Sequence, residues 1–439
     1  MTASKALLGK VEPARLEAAM RELTETIGVR LAGTAEERAA ARAVAERFRS
    51  AGAAVTTESF PVRARVVTSE RLELFVGGGW RVFPASLFSN TPGTGGRPVE
   101  APLVFFESPA EYRNPDLSHL RGKAVVHLGC HIESRDAYRR LMEAKPAFLL
   151  FVDVRFPGDL PLADGMFPAY TQALGAVPVM NVAYRDAWNW QRDGASAARL
   201  CVAGGMEPAE SANVIAELPG RDPEAGVLFL GAHHDTQAGS PGADDNAAGV
   251  AGLVELARVL APLPRRRAIR LVSFGAEEQL SVGSACYVRR HRAEAAKSFR
   301  FMFNLDSIGS GMGWTEIWCN GPDELDGLVA GWFARAGLYP AIEHGLIPYA
   351  DHFPFVAAGV PGVWMWRRNC ANGRFFHHRP DDDMSRVSPA VMAPWLDALA
   401  GGIAELAELP ELPFPAAIPE SRRARVEAMW NDLFGGWSG

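Results

Sequence analysis

Beyond Ala212 the chain alternates apolar runs with loop and helical segments, and almost every run leads into an imidazole or a carboxylate. Val227 to Gly231, Ile269 to Phe274, Phe301 to Leu305 and Val360 to Trp366 read as strands, and Ala247 to Leu260 as a helix. Such alternation predicts an α/β sheet with helices on its faces. In open sheets of this kind, ligands gather at the carboxyl ends of the strands.

Those ends carry the chemistry. The run Val227-Leu-Phe-Leu-Gly-Ala232 opens into His233-His234-Asp235. A metal-binding imidazole commonly gives its second ring N–H to a carboxylate, and Asp235 stands where it could serve His233. Gly242-Ala-Asp-Asp-Asn-Ala-Ala-Gly249 places Asp244, Asp245 and Asn246 at a helix start, a position that capping alone also explains. The strand ending at Phe274 delivers Glu277 and Glu278, so one carboxylate can ligate a cation while its neighbour accepts a proton. Asp306 follows the third strand, and Phe375-Phe-His377-His378-Arg-Pro-Asp381-Asp-Asp383 follows the last. Oxygen and nitrogen donors without cysteine suit two zinc ions, each with a position left open; cobalt or manganese fits the same set.

Composition narrows the alternatives. Lys plus Arg number 45 against 51 Asp plus Glu, a net charge of −6, so no excess positive charge exists to hold a nucleic acid. The five cysteines are scattered without a CxxC pair, which argues against a disulfide framework. No signal-peptide core opens the chain, and its strongest apolar run, Ala147 to Val152, is far short of the roughly 20 residues that span a bilayer. A cytoplasmic protein with no membrane partner is expected. The oligomeric state, a homodimer included, stays open.

The N-terminal half has a different texture. Thr34-Ala-Glu-Glu37 reads as a capping box ahead of an amphipathic helix that stops at Gly52, and Ala54 to Phe60 as a strand. From about residue 66 to 205, short strands (Arg71 to Val76, Leu103 to Phe106, Ala124 to Leu128, Phe148 to Val152, Val177 to Val182) alternate with glycine and proline clusters, as in a β-rich module of its own. The tail beyond Leu409 is proline-rich, then amphipathic, and has no assigned chemistry.

Six motifs, GAHHDT (231–236), GADDNAAG (242–249), FGAEE (274–278), NLD (304–306), DHFPF (351–355) and HHRPDD (377–382), resemble in order the co-catalytic zinc exopeptidases of the bacterial leucine aminopeptidase and glutamate carboxypeptidase type. The resemblance implies a mixed, mostly parallel central sheet flanked by helices, formed by residues 1–65 and 206–410. It also implies an inserted protease-associated-like domain at 66–205 and leaves 411–439 as a C-terminal tail. Asp245 would bridge two metals, with Glu278 and His378 on one and His233 and Asp306 on the other. Glu277 would be the general base of a hydrolysis through a bridging hydroxide, with Asp235 orienting His233. The resemblance assigns the last ligand to His378, since His377 fills a position often aromatic in relatives.

The activity so implied is a zinc metallopeptidase, foremost an aminopeptidase acting on peptides; a carboxypeptidase, a small-amide hydrolase and a single-zinc glutaminyl cyclase remain alternatives. Trp364, Trp366, Phe375 and Phe376 are candidates for an apolar pocket wall, and Arg367, Arg368, Arg374 and Arg379 for holding a substrate carboxylate. Tyr349 and His352 are further candidates for binding the reacting group or for packing.

Overall fold

The computed structural model describes residues 9–108, 110–129, 132, 134–154, 158–369 and 375–438. Its strands in chain order are β1 (Ala54–Val76), β2 (Gly79–Phe83), β3 (Ala85–Leu87), β4 (Val99–Glu107), β5 (Ala124–Gly129), β6 (Phe148–Asp153), β7 (Val179–Val182), β8 (Ala197–Leu218), β9 (Val227–His233), β10 (Ala268–Phe274), β11 (Phe299–Leu305), β12 (Trp314–Asn320), β13 (Ala341–Glu343) and β14 (Gly362–Arg368). They form one connected mixed sheet in the order β13-β12-β14-β11-β9-β10-β8-β4-β5-β6-β7-β3, with β1 on β8 and β2 on β1. The parallel neighbours β14, β11, β9 and β10 form its centre.

The central strands are mostly apolar because both faces are covered, as parallel strands require. Along β9, Leu228 and Leu230 point into the core beneath the helices Ala35–Ser50, Gly249–Leu260 and Pro389–Glu408, whereas Val227 and Phe229 point into the opposite core under Val282–Arg290 and His352–Ala357. Each fully buried leucine or phenylalanine contributes about 1.5–3 kcal/mol to holding these layers. The Pro389–Glu408 helix is a longer apolar stretch than any singled out from the sequence. It is a core helix: Leu396, Leu399 and Ile403 are buried, and Asp397 accepts from the backbone N–H groups of Gly9 (2.7 Å) and Val11 (2.9 Å).

Two expectations change. Ala54 to Phe60 and Arg71 to Val76 belong to one strand, β1, which pairs antiparallel with β8 from Ala54↔Glu217 to Phe75↔Ala197. This continuous ladder satisfies the backbone that a loop between the two runs would have exposed. Its register breaks only between Val67 and Ser69, opposite Gly204, where φ is +97° and a Cβ would collide with the Val66 carbonyl oxygen. The capping box is half formed: Thr34 Oγ accepts from the Glu37 N–H (3.3 Å), but the Glu37 carboxylate turns to Gly33 N (2.6 Å), Ser211 Oγ (2.5 Å) and Ala276 N (3.2 Å). Ser211 and Ala276 offer it buried donors that the helix start lacks.

The ribbon of β1 and β8 carries β3 to β7 and the helices Arg135–Ala144, Pro168–Leu174 and Tyr184–Arg192. The C-terminal helix Glu420–Leu433 packs back on this segment. Its Asp432 accepts from Arg135 N (3.2 Å) and from the Tyr170 hydroxyl (3.1 Å).

Candidate metal centre

Three strand ends and one turn converge. His233 closes β9, Glu277 and Glu278 follow β10, Asp306 follows β11, and Asp245 lies in the turn before the Gly249–Leu260 helix. The Asp245 carboxylate is the meeting point: Oδ1 lies 3.1 Å from His233 Nε2, and Oδ2 lies 3.1 Å from His377 Nδ1 and 3.4 Å from His378 Nε2. Asp306 Oδ1 is 3.5 Å from His233 Nε2, and Glu278 Oε2 is 2.9 Å from His378 Nε2. Two donor groups able to hold an ion therefore share Asp245, one of His233, Asp245 and Asp306, the other of Asp245, His377 and His378.

The scaffold holds this geometry through the backbone. Asp382 accepts from the N–H groups of Asp244 (2.8 Å) and Asp245 (3.0 Å), and Asp244 accepts from Gly309 N (2.7 Å) and Ser310 N (3.1 Å). Asn246 donates to Leu305 O (2.9 Å), tying the turn to β11. Asp235, 3.5 Å from His233 Nδ1, also receives the N–H groups of Glu277 (2.9 Å) and Glu278 (3.2 Å). It thus sets the ring of His233 and the turn of both glutamates at once. Glu277 Oε1 accepts from Ser281 Oγ (3.0 Å), which leaves Oε2 3.9 Å from His233 Nε2.

The electrostatics call for cations. Burial opposes charge on His233 and His378, yet the surrounding carboxylates hold both imidazoles well above their ordinary pKa. Burial, assisted by neighbouring acids, raises Glu278 and Asp351 to about 7 and Glu277 well above the carboxylate range. Arg30, fully buried nearby, spends its donors on the carbonyls of His234, Leu23, Gly28, Pro241 and Gly242. Glu278 Oε1 and both ring nitrogens of His233 lack a hydrogen bond of good geometry. Buried nitrogens and a carboxylate oxygen without well-formed hydrogen bonds, crowded among acids, fit metal ions, and the set suits zinc.

A cavity of about 300 Å³ opens over these groups. One wall is Trp318, Trp364, Trp366 and Tyr349; Asp164 to Phe167, from the segment carried by the ribbon, form another. Trp318 and Trp364 face each other across β12 and β14 with ring centres 6.4 Å apart, and Trp364 and Trp366 stack at 5.2 Å. Ala163 N donates to the His378 carbonyl (3.0 Å), and Phe167 stacks on Tyr349 at 6.2 Å.

The structure brings His233, Asp235, Asp245, Glu277, Glu278, Asp306 and His378 together. It also adds residues the sequence reading passed over. His377, at a position often aromatic in relatives, lies as close to Asp245 as His233 does. Trp318 lies outside every quoted motif, and the buried Asp351, which accepts from Ser284 Oγ (2.5 Å), opens DHFPF without having been given a role. Among the specificity candidates, Phe375 is exposed and Phe376 is buried away from the cavity. Arg367 is fixed on Ser310 O, Gly313 O and Thr315 Oγ1, and Arg379 donates to Phe375 O. Arg368 lines the cavity with its charge countered by Glu316 at 2.9 Å. Arg374 lies outside the described residues. His352 is buried on Asn320 Oδ1 (3.1 Å) and behind Trp364, so it supports the wall.

Fold and donor set define a class: a hydrolase of the metallopeptidase kind. Residues 213–402 match the model of Peptidase family M28. Over 424 residues the chain is 24% identical to aminopeptidase YwaD of Bacillus subtilis (strain 168), covering 94% of this chain and 88% of that protein. A segment of 136 residues, 31% of this chain and 25% of the relative, is 33% identical to an aminopeptidase of Pseudomonas aeruginosa. Among solved structures, the zinc aminopeptidase BSAP from Bacillus subtilis superposes with a TM-score of 0.74 at 21% identity, over 93% of this chain and 98% of that one. A Peptidase M28 precursor from Shewanella amazonensis SB2B gives 0.78 at 20% identity, over 95% and 98%. These likenesses bear out the mixed sheet flanked by helices.

Proposed function

We propose that the chain is a zinc aminopeptidase that removes apolar N-terminal residues from peptides, with two ions held on Asp245. The observation that carries this reading is the division of one carboxylate: Oδ1 belongs to the His233 and Asp306 group, Oδ2 to the His377 and His378 group. Glu278, at 2.9 Å from His378, completes the second. Zinc bound there would supply Lewis acidity toward a carbonyl oxygen and lower the pKa of water. Glu277, steadied by Ser281 Oγ, takes a proton from the attacking water and returns it to the departing amine. Asp235 fixes the Glu277 backbone so that the carboxylate stays at that point. The tryptophan wall and Phe167 exclude water from an apolar side chain. Among the described residues, Arg368 is the arginine that lines this cavity, and Glu316 counters its charge, which favours an apolar over an acidic side chain. Residues 66–205 read as a protease-associated-like domain whose 164–167 segment closes the substrate side chain in.

A screen of aminoacyl anilides, dipeptides and N-blocked analogues with the zinc-loaded chain tests the proposal. Turnover of free-N-terminal apolar substrates, with N-blocked ones inert, is expected; equal turnover of N-blocked substrates overturns it. Metal analysis should give two ions per chain. One ion with pyroglutamate formation would mark a cyclase instead.

A further inference from the structure

A second cavity, of about 750 Å³, lies where β1, the Pro168–Leu174 helix, the Val282–Arg290 helix and the C-terminal Leu433–Gly435 segment meet. Among the described residues no acid lines it, but Arg63, Arg135 and Arg289 do. Arg289 donates to the carbonyls of Phe434 (2.7 Å) and Gly436 (2.9 Å), and Arg63 to that of Met206 (2.5 Å). Among the described residues none of the three forms an ion pair, whereas Arg65, Arg258, Arg270 and Arg368 all do. In a chain of net charge −6, three cations around a cavity with no acid in its described lining concentrate positive potential there. Val62, Val282, Leu433 and Phe434 supply apolar surface between them. Guanidinium groups over an apolar floor match a carboxylate on an apolar body.

We propose that this cavity is a second ligand site, distinct from the metal centre, for an amphipathic monocarboxylate. The two cavities share one wall, Gln279 and Leu280, which directly follow Glu278. Gln279 Nε2 donates to Arg63 O (2.7 Å), so an occupant rests against the far side of the turn that carries Glu277 and Glu278.

The site has its own reporter, the half-buried thiol of Cys286 in its wall. Decanoate is titrated into the zinc-loaded full chain by calorimetry, with methyl decanoate as the uncharged control. Alkylation of Cys286 is mapped by mass spectrometry with and without ligand. Saturable decanoate binding, protection of Cys286 and no protection by the ester are expected. Arg63→Gln and Arg135→Gln should each weaken binding about tenfold, the effect of losing one charge-assisted hydrogen bond. An unprotected Cys286, equal binding of the ester, or unchanged affinity in both variants overturns the proposal. So does competition between decanoate and an aminoacyl substrate, which would make the cavity an extension of the substrate site. Binding and protection are read without turnover, so they stand or fall independently of the peptidase assignment.

Discussion

Two parts of this molecule are built alike and treat the same side chain in opposite ways. β5, β6 and β7 are parallel neighbours backed by helices, as are β9, β10, β11 and β14. His127 on β5 is sealed between Phe106 and Phe151, its ring stacked on the latter at 4.3 Å, and burial drives its pKa down to about 3. His233 at the end of β9 is equally buried, yet three carboxylates hold its pKa well above the ordinary value. Architecture therefore does not make a site. What differs is the acidic complement at the strand ends, which leaves His127 an aromatic packing unit and sets His233 in a donor group able to hold an ion.

The strongest test of that contrast is Asp245→Ala. Losing the carboxylate shared by both donor groups should strip the protein of metal and of all measurable hydrolysis, as read by elemental analysis; full occupancy would sink the shared-ligand arrangement. Glu277→Gln should keep its metal while kcat falls by about 10²–10⁴-fold, the worth of a positioned proton carrier. Normal turnover in that variant removes Glu277 from its role. Asp382→Ala loosens the turn presenting Asp245 without touching a ligand, so metal affinity measured by chelator competition should drop about 10–100-fold. His127 provides the most local effect. Its folded pKa lies below its unfolded value near 6.5, so its stabilisation is complete above pH 6.5 and is lost as pH falls toward 3, at about 1.4 kcal/mol per pH unit. Melting His127→Phe across that window should show a shallower acid dependence than the native chain. Parallel curves would mean that the imidazole is not held neutral.

Much of the centre can be read from the chain because the strands that carry it are unambiguous: an apolar run such as Val227 to Ala232 announces both its burial and the point where His233 emerges. His377 escaped because adjacent histidines in one loop give no sign of which faces inward; only the fold of residues 375–382 against Asp245 decides it. Trp318 enters through a pairing far apart in sequence, β12 on β14, which no local pattern encodes, and Asp351, though it opens the DHFPF motif, shows its place only through Ser284. The long β1 was hidden for a similar reason, since residues 61–70 look irregular until β8 lies beside them.

That ribbon has a consequence for how such a chain can change. β8 pairs with β10 only from Val214 to Leu218, and between there and its pairing with β4 it runs on paired with β1 alone, so the chain between β1 and β8 hangs from a single two-stranded doorway. Grafting, swapping or deleting that cargo requires only one short turn between two adjacent strands, whatever the cargo's size. The cost of removal falls elsewhere: the substrate chamber would lose the wall formed by Asp164 to Phe167, and Asp432 would lose the two donors it now grips.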